Sequence, residues 1–273
     1  MRVLVSVDME GVAGVVSPAD ISPGNAEYER NRALMTDEAS ATVRGLLSCV
    51  PDASVVVVDA HAAYRNILPD RLDRRATLVR GEPRVHGMLT GIDTDVDAVC
   101  LVGYHGKAGT PGSVLAHTVS GGTIAAVRCN GVELGEVGLN AALAAHFDAV
   151  TILATGDDTL ASEAEAVVPG IATVTVKWAR ATRAAEGLHP GEACARIEAA
   201  AATALDQQSR LSPLKIDGAV DLEVDVLRPH MTQRARAIPG VELRAPLTLG
   251  FLAPDFPSAY DLIDVFAVLA AAQ

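Results

Sequence analysis

The chain has 273 residues, of which 49% are hydrophobic and 21% charged, so it can bury a substantial core and is not disordered as a whole. Lys and Arg number 22 against 34 for Asp and Glu, and the net charge of −12 argues against a nucleic-acid partner, whose phosphates an acidic surface repels. No apolar run approaches the ~18–20 residues of a membrane span, which argues against a membrane partner as well.

The N-terminal segment and the cysteines bear on the cellular compartment. The apolar stretch that opens the chain is short and is interrupted by Asp8 and Glu10, unlike a signal peptide. The four cysteines show no CxxC spacing and are expected to be reduced, structural thiols. We therefore expect a cytoplasmic protein.

Segments rich in β-branched residues alternate along the chain with helical patterns. Apolar residues recur with the period of a helix from Met35 to Val50, and further helices are predicted at residues 135–146 and 192–208. The predicted strands cover residues 3–10, 54–59, 98–104, 151–155 and 171–178. Because strands that alternate with helices favour parallel pairing, we expect an α/β fold with a mainly parallel sheet and helices on both faces.

The pattern changes in two places. Residues 123–134 predict a β-hairpin whose turn is Asn130-Gly131. The elements predicted after residue 211 are a half-exposed strand at 219–227, its partner at 241–252 and a closing amphipathic helix at 260–272. We therefore expect an α/β domain over residues 1–210, which carries the metal-site candidates described next, and a smaller α+β subdomain over residues 211–273.

Three predicted strands end in residue types that bind metals. The first ends with Asp8 and Glu10, the second with Asp59 and His61, and the third runs into His105. Residues i and i+2 share a face of a strand, so each of the first two pairs is expected to project together. Ligand crevices of open α/β sheets lie beyond the carboxyl ends of the strands. We therefore expect a divalent metal site there, since carboxylates and imidazoles are ordinary zinc ligands.

Such a site predicts hydrolysis. Two metal ions about 3.5–4 Å apart can hold a hydroxide and polarise a carbonyl or phosphoryl oxygen, so the bond that is cleaved stays open between an amide and a phosphoester. The sequence has no evident Arg cluster or Gly-rich phosphate loop, which disfavours the phosphoester. A third hypothesis is a non-catalytic peptide-binding protein, but an extracytoplasmic one would need a secretion signal that the sequence does not contain.

Residues 6–11 (SVDMEG) resemble the SxDxEG signature of the D-aminopeptidase family of zinc peptidases, the M55 or DppA-like group. Further segments resemble this family in the same order, at residues 31–38, 58–61, 103–105, 110–112, 116–118, 135–140, 156–158 and 163–165. The resemblance extends from residue 1 to about residue 180 and is thinner over the rest of the chain.

The resemblance implies a dinuclear zinc centre with two Zn²⁺ per subunit. Its ligands would be Asp8, Glu10, His61, His105 and Glu136, with Asp8 as the expected bridging ligand. Without the family, Glu136 would be interpreted only as a charge that the helix dipole favours in a first turn. The implied activity is that of an aminopeptidase or amidohydrolase that removes the N-terminal residue of short peptides, D-amino-acid peptides in particular, by a metal-bridged hydroxide.

Other residues have two interpretations each. His117 matches a family position close to the metals, where it would act as a catalytic proton shuttle or as a donor to the oxyanion. Asp59 either orients a metal ligand or contacts solvent at the end of its strand. Asp157 and Asp158 either bind the substrate's ammonium group or are turn residues. Lys107 either contacts a substrate carboxylate or is solvated.

The resemblance also implies an assembly. The family suggests a ring-like homo-oligomer, a decamer that encloses its active sites, with a short peptide or amide as the substrate. The strand at 219–227 and the final helix can contribute to an interface, although packing within one subunit explains them equally well. The other four histidines match no ligand motif and are expected to be structural: His86, His146, His189 and His230.

Overall fold

The computed structural model describes residues 1–212 and 214–272. In chain order its strands are β1 (Arg2–Val7), β2 (Ser54–Asp59), β3 (Thr77–Val79), β4 (Ala98–Tyr104), β5 (Ile124–Cys129), β6 (Val132–Glu133), β7 (Val150–Asp157), β8 (Ala172–Ala181), β9 (Ala184–Gly187), β10 (Val220–Val226), β11 (Glu242–Ala245) and β12 (Thr248–Ala253). Its helices are α1 (Pro18–Ile21), α2 (Ala26–Cys49), α3 (Glu136–His146), α4 (Asp158–Val167), α5 (Pro190–Gln207) and α6 (Phe256–Ala271).

Seven strands form the central sheet, in the order β3-β2-β1-β4-β7-β8-β9. All neighbouring pairs are parallel except the antiparallel pair of β8 with β9. The remaining strands form an antiparallel sheet in the order β11-β12-β10-β5-β6. The fold class expected from the sequence is confirmed in both its parallel sheet and its helical layers.

Alternation along the central strands divides the core into two layers. In β1, Val3, Val5 and Val7 pack with the apolar residues of α2 and α5 on one face, whereas Leu4 packs on the other. That other face is covered by α3, α4, α6 and the antiparallel sheet. Successive side chains of a strand point to opposite faces, so a strand buried on both sides is apolar at nearly every position.

Most predicted elements form, several of them with shifted ends, and two of the differences alter the description of the sheets. Strands β2 and β4 begin and end where the sequence predicts. The first predicted strand is too long, because the backbone leaves the sheet after Val7 and places Asp8 and Glu10 in the following loop. The strand predicted at 241–252 is two strands, β11 and β12, of which β12 pairs with β10.

The antiparallel sheet joins segments that are far apart in sequence. The β5–β6 hairpin pairs with β10 through β5, and α6 packs against α3 and β12. The C-terminal strands therefore share a sheet with residues from the middle of the chain, and a domain boundary near residue 210 stays a prediction. In the described ranges, helix length and hydropathy together never reach what a membrane span requires.

Candidate metal centre

The carboxyl ends of three neighbouring parallel strands form the site. Val7 at the end of β1 pairs with Asp59 of β2 on one side and with Val102 of β4 on the other. The next residues of each strand therefore leave the sheet side by side. Helix α2, which follows β1, lies on one face, and α3, which follows β4, lies on the other. Because the chain leaves the neighbouring strands β1 and β4 towards opposite faces of the sheet, a crevice opens between their ends, and α/β proteins bind ligands in such crevices.

A glycine in β4 allows the loop after β1 to approach. Gly103 has a φ of +70°, and a Cβ there would lie 2.3 Å from the carbonyl oxygen of Asp8. Hydrogen bonds from Asp8 N to Val102 O (2.8 Å) and from Gly11 N to Gly103 O (2.7 Å) hold the loop against the strand. The sequence predicted that Asp8 and Glu10 would project from one face of a strand. In the structure they reach the site from a loop that these hydrogen bonds fix.

Imidazoles and carboxylates of the predicted ligands meet in this crevice. His61 Nδ1 lies 3.3 Å from Asp8 Oδ1 and 2.9 Å from Glu10 Oε2. His105 Nε2 lies 3.3 Å from Asp8 Oδ2 and 3.4 Å from Glu136 Oε2. The two oxygens of Asp8 thus face different imidazoles, and this carboxylate lies between a Glu10–His61 pair and a Glu136–His105 pair.

His117 lies at the mouth of the cluster. Its Nε2 is 3.6 Å from Glu136 Oε1 and 3.9 Å from Glu10 Oε1, and its ring stacks on His105 with centroids 4.2 Å apart. Its side chain is 21% exposed, whereas those of the five predicted ligands are at most 8% exposed. His117 is therefore the member of the cluster that a molecule entering from solvent meets first.

Backbone carbonyls orient all three imidazoles. His61 Nε2 lies 3.1 Å from Ile21 O, His105 Nδ1 lies 3.0 Å from Gly106 O, and His117 Nδ1 lies 2.9 Å from Leu115 O. A carbonyl oxygen can only accept a hydrogen bond, so each of these nitrogens carries a proton. The other nitrogen of each ring faces the carboxylates, where in its unprotonated form it can offer a lone pair to a bound cation, which is the arrangement typical of metal-binding histidines.

Burial and mutual charge shift the pKa values of the cluster in opposite directions. Burial raises the pKa of Asp8 above its ordinary value, and the neighbouring carboxylate of Glu10 raises it further. Burial would also raise the pKa of Glu10, but His61 and the other imidazoles hold it well below its usual range. Burial opposes protonation of His61 and His105, yet the adjacent carboxylates raise the pKa of both well above the ordinary histidine value. The three buried carboxylates are therefore stabilised by any positive charge placed between them, whether a proton or a cation.

The cluster fits a divalent cation such as Zn²⁺. Glu10 Oε2 and His105 Nε2 are buried and form no hydrogen bond outside the cluster. Candidate ligand atoms of Asp8, Glu10 and His105 lie within 4.8 Å of one another, and those of His105, His117 and Glu136 form a second such group. Buried carboxylates are costly unless charge compensates them, and metal coordination both supplies that charge and satisfies the unpaired atoms. A cation held here can activate water and polarise a carbonyl.

Asp59 supports His61 through an intermediate residue. Its carboxylate accepts hydrogen bonds from the backbone N–H groups of Asn66 (2.5 Å) and Ile67 (2.7 Å) and from Asn66 Nδ2 (2.8 Å). Asn66 Nδ2 also donates to the carbonyl of His61 at 2.6 Å. Asp59 therefore holds the loop that carries His61 and is neither a solvent contact nor a partner of the imidazole ring.

A buried lysine holds the loop that carries Glu10. Lys177 of β8 is 1% exposed, and its Nζ donates to the carbonyls of Glu10 (2.5 Å), Val12 (3.1 Å) and Val15 (2.6 Å). Burial lowers the pKa of Lys177 to about 8. Glu38 of α2 accepts a hydrogen bond from Ala13 N at 2.8 Å in the same loop. Glu38 ends the family-like segment 31–38, but the sequence alone assigns a role to neither residue, because their roles arise only when β8 and α2 pack around residues 10–15.

The other polar candidates have structural partners. Asp157 caps α4 by accepting a hydrogen bond from Leu160 N at 2.8 Å, and Asp158 accepts one from a backbone N–H of β8 at 2.9 Å. Lys107 Nζ donates to Glu133 Oε1 at 2.5 Å. Asp157 ends β7 and Asp158 begins α4, so both have structural partners at a strand–helix junction and neither is a turn residue. Lys107 forms an ion pair.

The cluster opens into a cavity of about 240 Å³. Beyond the cluster residues, the cavity is lined by Ala60, Ala62, Tyr64, Met88, Val119, Tyr260 and Asp264. Sequence analysis identified none of these, since they come from four separate segments that only the packing of α6 over the carboxyl edge of the sheet brings together.

Fold and site together define the class of protein. A cluster able to hold divalent cations, beyond the carboxyl ends of a parallel sheet, marks an α/β enzyme, and comparison with known proteins narrows this class to hydrolases of peptide bonds. The chain belongs to the peptidase M55 family, described as D-aminopeptidase, whose model matches residues 1–265. The match extends through most of the C-terminal segment in which the motifs alone are thin, and the family resemblance is confirmed.

Relatives agree with this family over the whole chain. A D-aminopeptidase of Bacillus subtilis (strain 168) is 30% identical over 277 residues, covering 99% of this chain and 98% of the relative. The solved structure of Zn-dependent D-aminopeptidase DppA from Bacillus subtilis, a self-compartmentalizing protease, matches with a TM-score of 0.95 at 29% identity. That match covers 100% of this chain and 99% of the neighbour.

Glu38 gives a testable pH dependence. Burial raises its pKa from 4.5 to about 7. Below pH 4.5 the side chain is protonated in both the folded and the unfolded chain, so it costs nothing. Between pH 4.5 and about 7 the unfolded chain has released this proton whereas the folded chain still holds it. The free energy of unfolding therefore falls across this range and stays low above pH 7. One pKa unit corresponds to about 1.4 kcal/mol, so Glu38→Gln is expected to be more stable than the parent by about 3 kcal/mol at pH 8.

Urea unfolding of the parent and of Glu38→Gln at pH 5 and pH 8 measures this difference. The exposed Glu27, on the same helix, supplies the control variant Glu27→Gln, for which little change is expected at either pH because its ion pair with Arg30 is exposed. An advantage of Glu38→Gln that is the same at both pH values would contradict the assignment.

Proposed function

We propose that this chain is a zinc-dependent aminopeptidase that removes the N-terminal residue of short peptides, with a preference for D-amino acids. One observation carries the proposal: three imidazoles, each with one N–H bound to a backbone carbonyl, turn their other nitrogens towards three buried carboxylates. Membership of a family described as D-aminopeptidase supports the substrate class. The Zn-dependence stated for the Bacillus subtilis structural neighbour supports the metal.

Two zinc ions per subunit would divide the five ligands between them around one shared carboxylate. The oxygens of Asp8 face His61 and His105 separately, which supports Asp8 as the bridging ligand. Glu10 and His61 would complete one metal position, while Glu136 and His105 would complete the other. Zinc bound there would supply an activated water and would polarise the carbonyl of the scissile bond.

His117 is the proposed proton-transfer residue. Its Nδ1–H is bound to Leu115 O, so its Nε2 is the atom that can take up or release a proton at the cavity. From this position it can protonate the leaving amine or donate a hydrogen bond to the oxygen on which charge develops. The greater exposure of His117 supports a role towards substrate over a purely structural one.

Removal of a metal ligand is expected to abolish activity together with zinc. Asp8→Ala and His105→Ala should each lower kcat/KM for an alanyl p-nitroanilide by more than the ~10–100-fold that loss of an outer-shell partner typically costs. Zinc content, measured by atomic emission on the purified proteins, should fall in parallel. The exposed His230 provides the matched control, and His230→Ala should keep both activity and zinc.

The substrate panel for these proteins contains D- and L-alanyl p-nitroanilides and p-nitrophenyl phosphate. Faster hydrolysis of the phosphoester than of either amide would replace the aminopeptidase by a different metallohydrolase. Tight calorimetric binding of a dipeptide without turnover, zinc being present, would instead favour a peptide-binding protein. Variants that fold normally and cleave as fast as the parent would refute the metal centre.

A separate result is expected for His117. His117→Gln removes the titratable nitrogen, so kcat should fall by about 10²–10⁴-fold, the range typical of general acid–base catalysis, while zinc content stays at the parent level. Loss of one zinc equivalent in His117→Gln would identify His117 as a ligand, an alternative that its proximity to His105 and Glu136 makes worth measuring.

We also propose that the chain acts as a cytoplasmic homo-oligomer, in the form of a ring-like decamer. The self-compartmentalizing architecture stated for the Bacillus subtilis neighbour supports assembly, and the four free cysteines are compatible with a reducing compartment. Light scattering should give a particle ten times the mass of the 28.3 kDa chain. A monomeric mass at micromolar concentration would contradict the assembly without affecting the site.

A further inference from the structure

One carboxylate in the site cavity has no part in the metal cluster. Asp264 of α6 lines the same cavity of about 240 Å³ as Asp8, Glu10, His61 and Glu136. Among the described residues that line the cavity outside the cluster, it is the one with a charged side chain. The others are apolar or phenolic, so Asp264 makes one wall of the cavity acidic.

The carboxylate of Asp264 has no committed partner. No hydrogen bond or ion pair to it occurs within residues 1–212 and 214–272. Arg84 is the neighbouring cation, but its guanidinium lies 3.4 Å from the centroid of the Tyr64 ring and donates to Asp59 O at 2.6 Å. Burial, reinforced by the negative charges of Asp261 and Glu136, raises the pKa of Asp264 to about 6, while Arg84 opposes the shift. The group is therefore ionised at neutral pH and short of positive charge.

Two cavities of unequal size meet at the metal cluster. The cavity with Asp264 is the smaller and more enclosed, and its volume lies below the ~300–1,000 Å³ of sites for drug-sized ligands. An open cleft of about 730 Å³ lies on the other side and shares Glu10 and His117 with it. Asp264 also lines a third cavity, of about 470 Å³, which shares Tyr64 and Val119 with the enclosed one. A peptide that lies across the cluster can therefore place its first residue in the enclosed cavity beside Asp264 and a longer remainder in the cleft.

An aminopeptidase must distinguish a peptide's free amino terminus from an internal amide. The distinguishing group is an ammonium, and a carboxylate recognises it through charge-assisted hydrogen bonds. Asp157 and Asp158 are committed to backbone N–H groups and do not line the cavity.

We propose that Asp264 binds the α-ammonium group of the substrate's first residue, which occupies the enclosed cavity, while the remainder of the peptide lies in the open cleft. This inference rests on the proposed aminopeptidase function and adds the residue that specifies a free N-terminus. Asp264 is a specificity-determining residue, and it takes no part in water activation.

A structural role for Asp264 is the competing explanation. The carboxylate packs closely over Gly87, where a Cβ would lie 2.8 Å from Asp264 Oδ2. If packing were its whole role, a substitution of the same shape would change stability and would affect ligands with and without an amino group equally.

The experiment compares the parent with Asp264→Asn, which has the same shape and no charge. The probes are alanine hydroxamate and propionohydroxamic acid, two chelating inhibitors that differ only in the amino group. The parent should bind the amino compound about 10–100-fold more tightly, the range expected for a hydrogen-bonded charge pair. In Asp264→Asn this ratio should fall to near 1, and KM for the alanyl p-nitroanilide should rise by a similar factor while kcat changes only a few-fold.

Three further proteins complete the test. Asp264→Glu retains the charge and should recover part of the ratio, and Asp264→Ser gives the same readout as Asp264→Asn if the latter does not fold. Asp261→Asn changes a neighbouring carboxylate on α6 that accepts a hydrogen bond from His86 N outside the cavity, and its ratio should match the parent's.

The outcomes separate the two proposals. If the parent cleaves no amide in the panel, the proposed function is overturned and this inference with it. If the parent cleaves amides and the ratio of inhibition constants is unchanged in Asp264→Asn and Asp264→Ser, the aminopeptidase stands and the role of Asp264 is refuted.

Discussion

The attraction between buried carboxylates and positive charge is the interaction on which this site depends. Asp8, Glu10 and Glu136 are each at most 3% exposed, a location that carboxylates tolerate only when charge and hydrogen bonds compensate them. His61 and His105 provide that compensation as imidazolium groups, because the adjacent carboxylates raise the pKa of both well above the usual histidine value. Cations that enter must displace those protons, so metal binding and proton release are coupled.

The scaffold places these groups where no single element could. Parallel pairing of β1 with β2 and β4 aligns the three strand ends, and the backbone contact at Gly103 presses the loop of Asp8 and Glu10 against β4. Lys177 then holds the far side of this loop from β8. Backbone contacts thus fix the loop of the candidate ligands Asp8 and Glu10 without help from a metal, and sites supported on rigid strands in this way keep their geometry.

Sequence patterns predicted the parallel sheet and four site candidates because both depend on local rules. Strands buried on both faces are continuous apolar runs, and ligand-type residues at strand ends stand out from those runs. Glu136 and His117 needed the family resemblance, since a first-turn glutamate and a loop histidine have ordinary local explanations. Lys177 and Asp264 could not be found by either route, because their environments are created by long-range packing, of β8 on the loop at residues 10–15 and of α6 over the cavity.

The distribution of charge around the cavity also separates the two chemistries that dinuclear centres serve. A phosphoester brings at least one negative charge, and here it would face Asp264 across a cavity whose described lining residues include no Arg or Lys. Phosphoryl-transfer sites place Arg, Lys or metal ions on every side of the transferring group. A peptide's amino terminus brings a positive charge, so the acidic wall formed by α6 favours a peptide over a phosphoester. The metal cluster alone does not distinguish these two ligands. In the proposed enzyme the metal ligands would therefore set the reaction, and the helix that closes the fold would set which end of a substrate can enter.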